Sequence, residues 1–550
     1  MDNELNAEEA KKQLIRIRDL VEHHRFLEAW ELAHQLLEQA DSLEGTLAID
    51  VINEAGRARK WLNNDEFAKS LLTEGLERAK DENYRFGEAY SLNYIGSFLR
   101  DKNRFEEALE FYRQSLDIWI ALEETLWRGN VHNNIAGCLE NLGNIQDARR
   151  HTKKGLELHR KSNNKRAPLY SLARLAHIEY HAGNFHQAVR YARETVKLAQ
   201  ELNDTLAMID ALIVEGIVLK RQGRIIEAKN LFLECIEMLK EYSGRPPADF
   251  LLRWIHYDLA HAHRLLGEHE DARKIYQQLM EEEQQKGGSV TLIAPGGLGQ
   301  LVLSLGNPIE AVEHLEVAVE RSRSAGNRGI YFVEQLVILS TVYVELMQFE
   351  WARRLLRDAD SAQPESRFTK VFVTYGEGFL AQAERNLRIA RNAFEKCLEL
   401  AYDVGVAEYI IKALFHLASL ELIEYKISSS PSHLQQMRHI LGDAYTNAKK
   451  SHMSVLALEI GILKGLSYSA DLEFDAARSV FEECKNDAQK LGMSAKATEI
   501  EGFLTETSRY QTRAAKPIVF ERSLDAKKIN EYITSIRGLL HSLGKAQGVD

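Results

Sequence analysis

The 550-residue chain has only eight prolines and four cysteines. The proline scarcity excludes polyproline or collagen-like architecture and leaves long stretches free for helix. The cysteines, Cys138, Cys235, Cys397 and Cys484, lie far apart and form no CxxC pair. They exclude a disulfide framework and read as reduced thiols on apolar helix faces. No run of about 18 apolar residues occurs, so no transmembrane helix is expected. The opening Met1-Asp2-Asn3-Glu4 is acidic and lacks an apolar stretch, so no secretory signal is expected and the cytoplasm is the natural compartment. Basic charge is also short: 70 Lys and Arg against 81 Asp and Glu give −11, which argues against generic binding to a phosphate backbone.

Motifs for chemistry are missing too. There is no P-loop, GxSxG elbow or HExxH. The run Pro295-Gly296-Gly297-Leu298-Gly299 lacks the Lys-Ser/Thr end of a phosphate loop and reads as close helix packing. His177 and His181, one helical turn apart, have chelating spacing but no evident third ligand, and His261 and His263 lie two units away. The expectation is therefore no metal, no cofactor, no catalytic residue and no enzyme.

What the chain has is a repeat. Ala29, Ala68, Ala108, Ala148, Ala188 and Ala228 are spaced by 39, 40, 40, 40 and 40 residues, and Ala272, Ala311, Ala352 and Ala390 continue the series. A fixed period of this length signals a solenoid, an architecture of stacked units that bind partners. Each unit reads as two amphipathic helices. In residues 89–118, Tyr90, Leu92, Ile95, Phe98 and Leu99 give one apolar stripe. Asp101-Lys102-Asn103-Arg104 is the polar turn, and Phe105, Ala108, Leu109, Tyr112 and Leu116 give the second stripe. Gly96 and Ala108 are small where the two helices must approach.

Recurrent trios such as Gly96, Ala108 and Tyr112, or Gly216, Ala228 and Phe232, or Gly378, Ala390 and Phe394 resemble the tetratricopeptide repeat family, over about residues 7–505. The period near forty resembles the long-helix type rather than the usual 34-residue unit. The resemblance implies an all-α, right-handed superhelix of about eleven or twelve helix pairs, each touching only its neighbours. It also implies a concave face lined by the first helix of each pair. Carried over by position, that face holds Tyr90, Asn93 and Arg100 in the third unit and Asn130, Asn133 and Asn141 in the fourth. It continues with Tyr170, His177, Tyr180 and His181 in the fifth and Lys220 and Arg221 in the sixth. The seventh unit supplies Trp254, Tyr257, His261 and Arg264.

This set is rich in Asn, aromatics and Arg, types suited to holding a peptide backbone or a carboxylate. The matching later positions, Ile293, Val337, Val344, Phe372, Tyr375 and Phe379, are more apolar and fit an amphipathic helix. Lys426–Ser432 reads as a mobile loop inside one unit. The solenoid is expected over residues 1–510, a linker over 511–522, and over 523–550 an amphipathic helix with Leu524, Ile529, Tyr532, Ile533, Ile536 and Leu540, acting as a cap or docking segment. The functional expectation is a scaffold or regulatory subunit that binds a protein or peptide segment in the groove. The alternative is a peptide-responsive regulator whose superhelix changes shape and controls a separate effector. A membrane is not an expected partner.

Overall fold

The computed structural model describes residues 7–39, 43, 45–63, 65–286, 294–363 and 366–514. Among them are twenty-five α-helices, numbered α1 (Ala7–Glu22) to α25 (Ser494–Ala514), and no strand. They form twelve successive pairs, called units one to twelve, followed by α25 alone. None of the described helices is long and apolar enough to cross a membrane. The expected linker and C-terminal helix lie outside the described residues, apart from the first few positions of the linker, which finish α25.

Unit three shows why these residues pair. α5 (Arg85–Asp101) buries every residue from Ala89 to Leu99, whereas α6 (Phe105–Ala121) buries one stripe that includes Phe105, Ala108, Tyr112 and Trp119. The first helix of a unit is therefore interior and the second exterior. Gly96 has no Cβ because one would stand 2.9 Å from the Tyr112 ring. The signature trio is thus one contact: the aromatic of the second helix lies flat on the small residue of the first. Between them the chain reverses in three residues. Asn103 takes φ 60°, and the Arg104 amide donates back to the Leu99 carbonyl at 2.9 Å. That left-handed residue and six-to-one bond satisfy the open carbonyls of α5.

One local expectation is corrected. Lys426–Ser428 is helical, as the end of α21 (Ala407–Ser428), and only Ser429 and Ser430 separate it from α22 (Pro431–Lys450). Ser429 adopts φ 56° as a left-handed stop, and Pro431 fits the first helical position, where no amide is needed. The glycine-rich run opens α15 (Ala294–Ser304), with Gly297 against Tyr276 and Gly299 against Leu315.

A larger correction concerns the units' neighbours. The Arg328 amide donates to the Asn141 carbonyl at 2.7 Å, and the Ser366 hydroxyl donates to the His181 carbonyl at 3.1 Å, across 185 residues. Units four to seven therefore carry, on their intra-unit turns, the loops that open units nine to twelve. The expectation of contact between sequence neighbours alone fails because the coil comes round and rests on itself. One continuous apolar core runs from Ala176 to Phe503, while residues 10–71 and 72–178 form separate clusters.

Candidate functional site: the inner face of the coil

The first helices of the units face the superhelical axis, and their polar residues meet one unit apart. Asn134 donates to the Asn93 side chain at 2.9 Å, and Asn133 donates to the Ser171 hydroxyl at 2.9 Å. Arg100 donates to Asn134 at 3.2 Å. Asn130 meets the His159 ring at 3.1 Å, and Asn141 caps the Gly137 carbonyl at 2.8 Å. The Tyr90 hydroxyl donates to Glu54 at 2.7 Å. These side chains form a lateral ladder that ties each inner helix to the next or to its own unit. Tyr90, Asn93 and Asn133 are buried in it.

Units four to six leave an accessible polar patch. Tyr170 is 48% exposed. Arg174 lies 3.1 Å from Glu140, His181 lies 2.9 Å from the same carboxylate, and His177 lies 3.2 Å from Asp210. Burial alone would raise the Glu140 carboxyl, but His181, Arg174 and His177 more than offset it and hold it at about 2. Burial works against protonation of His177, and Asp210 outweighs it, so the imidazole sits above its ordinary value. The result is a row of alternating charge (Glu140, Arg174, Asp210) beside an exposed phenol, with Arg174, His177 and Asp210 each part-exposed.

Units six and seven differ, because their inner residues meet the next turn of the coil. Arg221 donates twice to Glu334, at 2.8 and 2.7 Å, and once to the Tyr180 hydroxyl at 3.3 Å. The Glu334 partner belongs to α17 (Ile330–Glu345), 113 residues on. Lys220 pairs with Asp258 with neither side chain exposed, and lies 3.2 Å from His261. Arg264 reaches Glu408 across 144 residues at 3.4 Å, and Lys412 joins it at 2.9 Å. Burial and the surrounding Lys220 and Arg264 push His261 well down, so it is neutral. Trp254 and Tyr257 pack on Tyr331, with ring centroids 5.6 and 5.7 Å apart. The Arg221–Glu334 pair is sustained in this low-dielectric site by its two-pronged geometry.

The sixteen expected groove residues thus divide. Tyr170, His177 and His181 border the accessible patch. Trp254 is half-buried, and Tyr180, Lys220, Arg221, Tyr257, His261 and Arg264 are buried in contacts made by the chain itself. Of the later apolar set, Val337, Val344, Phe372 and Tyr375 are buried, Phe379 is half-buried, and Ile293 lies outside the described residues. Arg221 stacks on Phe372, 5.7 Å from its ring centre, so units five to seven cover part of that strip.

His177 and His181 take different carboxylates, Asp210 and Glu140. Two other groups gather metal-type ligand atoms, His263 with Glu268 and Asp271, and Glu421 with Glu424 and His433. Glu268 already holds Lys229 at 2.8 Å, and Glu421 and Glu424 hold Arg391 at 2.8 and 3.0 Å.

Glu140, Arg174, Glu334, Glu408 and Lys412 escaped the positional reading. Glu334 and Glu408 did leave a signal: each is an acid within the apolar stretch of an inner helix, Glu334 after Phe332 and Val333 and Glu408 between Ala407 and Tyr409.

Residues 87–161, 166–241 and 251–324 match a family model described as tetratricopeptide repeat. A solved structure, of a Rap protein complexed with Competence and Sporulation Factor, resembles the chain with a TM-score of 0.51 and 14% identity. The match covers 66% of this chain and 99% of that one. At that identity the likeness concerns the fold alone. No curated protein matches the chain in sequence.

Proposed function

We propose, from the match of residues 87–161, 166–241 and 251–324 to the tetratricopeptide repeat, that the chain is a tetratricopeptide-repeat protein and a cytoplasmic interaction scaffold that holds a protein or peptide segment against the inner face of units four to six. The observation that carries this reading is the accessible patch of Tyr170, Arg174, His177 and Asp210. A rigid phenol supplies contact area, and the alternating charges supply register for a partner carrying both signs. In the Rap protein the same class of fold is complexed with a second molecule, Competence and Sporulation Factor, which supports the reading. Affinity capture from the native cell extract, comparing wild type with Tyr170→Ala/Arg174→Ala, tests it. A partner lost only by the variant places it on this patch. Equal capture of every partner by both proteins refutes the patch as the binding face.

A second reading, a ligand-responsive regulator, is favoured by the cross-axis pairs. A segment entering between units six and nine would have to displace Arg221 from Glu334, and one entering between units seven and eleven would have to displace Arg264 from Glu408. Binding there would be coupled to separation of successive turns, because the ligand and the closed coil compete for the same side chains. Small-angle scattering with and without the captured ligand tests this: the regulator reading requires a change in maximum dimension, and an unchanged profile refutes it.

A further inference from the structure

The intra-unit turns of units four to seven are covered by units nine to twelve, and the same turns of the last units have no later turn described over them. Their apolar residues differ accordingly. At the start of the second helices, Ile145, Phe185 and Ile225 of units four to six are buried, whereas Phe349, Leu387 and Phe474 of units nine, ten and twelve are half-buried. Met347 is 60% exposed, Trp351 53%, Ile389 55% and Leu472 66% on units nine, ten and twelve. Large apolar groups in a row along one edge mark a surface that something covers.

Three observations select the occupant. The covering step is about 185 residues, and carried on from Met347 it lands on Tyr532. Around that position, outside the described residues, Ile529, Tyr532, Ile533, Ile536 and Leu540 recur at helical spacing. The chain also leaves α25 on the right edge: Gln511 donates to Asp475 at 2.8 Å, at the first turn of α24 (Phe474–Lys490), next to the turn that exposes Leu472. Finally, the distance is short enough. Units twelve and nine are three steps of about 10 Å apart, and the nine residues from Ala514 to Ser523 extend to about 30 Å.

We propose that residues 523–550 fold back along the turn edge of units nine to twelve and seat Tyr532, Ile533 and Ile536 on Met347 and Trp351. The segment extends, by one helix, the contact that units nine to twelve make with units four to seven. Its apolar stripe and the exposed edge are each unsatisfied alone and are brought together by the coil's own step.

Hydroxyl-radical footprinting of the full chain, read by mass spectrometry, tests the contact. Wild type is compared with Ile533→Asp/Ile536→Asp, with Met238 as an internal reference on a distant helix. The expected result is severalfold higher oxidation of Met347 and Trp351 in the variant, with Met238 unchanged. The reciprocal change, Met347→Asp/Trp351→Asp, is expected to speed amide exchange in residues 529–540. Equal oxidation of Met347 and Trp351 in wild type and variant overturns the proposal. So does protection that survives in the variant and grows with protein concentration, which would assign the edge to a second copy of the chain.

Discussion

The turn edge of units four to seven and that of units nine to twelve are made by reversals of two or three residues, yet their residues differ. Both need a left-handed residue. Units four to seven use Gly143, Gly183, Gly223 and Gly267, with φ between 81° and 83°. Units nine, ten and twelve use Met347, Arg385 and Leu472, with φ between 60° and 64°. The φ requirement alone therefore does not select glycine. Space does: a Cβ on Gly143 would stand 2.5 Å from the Ala362 carbonyl oxygen, on the turn that rests there. On the turns of units nine, ten and twelve, against which no later loop of the described residues rests, larger residues accept the modest left-handed cost, about 1–2 kcal/mol.

The comparison can be broken most forcefully at the cross-axis pair. Arg221→Met leaves Glu334 buried without its partner and is expected to cost about 3–5 kcal/mol in denaturant unfolding. The double change Arg221→Met/Glu334→Met is expected to recover most of that loss. On the second helix of unit nine, Arg353 pairs with Glu350 and Glu384 while itself part-exposed, and Arg353→Met is expected to leave the unfolding midpoint nearly unmoved.

The glycines sharpen it next. Gly143→Ala puts a methyl against a backbone carbonyl that cannot step aside, and is expected to cost at least about 2 kcal/mol. Gly267→Ala meets only the end of the Leu491 side chain, which can swing away, so its loss is expected to be smaller, about 1 kcal/mol. Arg385→Gly, at the left-handed position of the unit-ten turn, is expected to cost nothing and to gain up to about 1 kcal/mol. Thermal melts of the three variants give the order, and a Gly143→Ala melt equal to that of Gly267→Ala would remove the steric explanation.

The smallest expected effect lies in the accessible patch. Folding raises His177 from 6.5, with Asp210 outweighing burial, so its contribution is complete below that value and fades as pH climbs through the raised one. Folding lowers Asp210 from 3.8, with His177 outweighing burial, so its contribution fades as pH falls through the lowered one. The pair is thus strongest between about pH 4 and 6.5. The melting difference between wild type and His177→Gln is expected to be largest near pH 6, below about 1 kcal/mol, and to shrink by pH 8.

The fold was legible because its packing repeats at the unit period. Ala108 and Gly96 recur with their partners in unit after unit, and the structure shows each trio as one contact. The return of the coil on itself was harder to read, because a contact 185 residues long leaves no periodic mark. Its one trace was the turn glycines Gly143, Gly183, Gly223 and Gly267 on the covered turns, although glycine also stands at Gly306, where an added Cβ would meet nothing within 4 Å. The groove was legible as a face but not as a surface. Position in the unit placed Lys220, Arg221 and His261 toward the axis, and only the three-dimensional path shows that the axis there is occupied by Asp258, Glu334 and Glu408.

Contact between successive turns also gives the molecule a mechanical sense. A coil spring whose windings already touch can be drawn out but not pressed together. The bonds from Arg328 to Asn141 and from Ser366 to His181 are among the points where the windings meet. Any change of pitch in this region must therefore be a lengthening, and it must begin by parting those bonds.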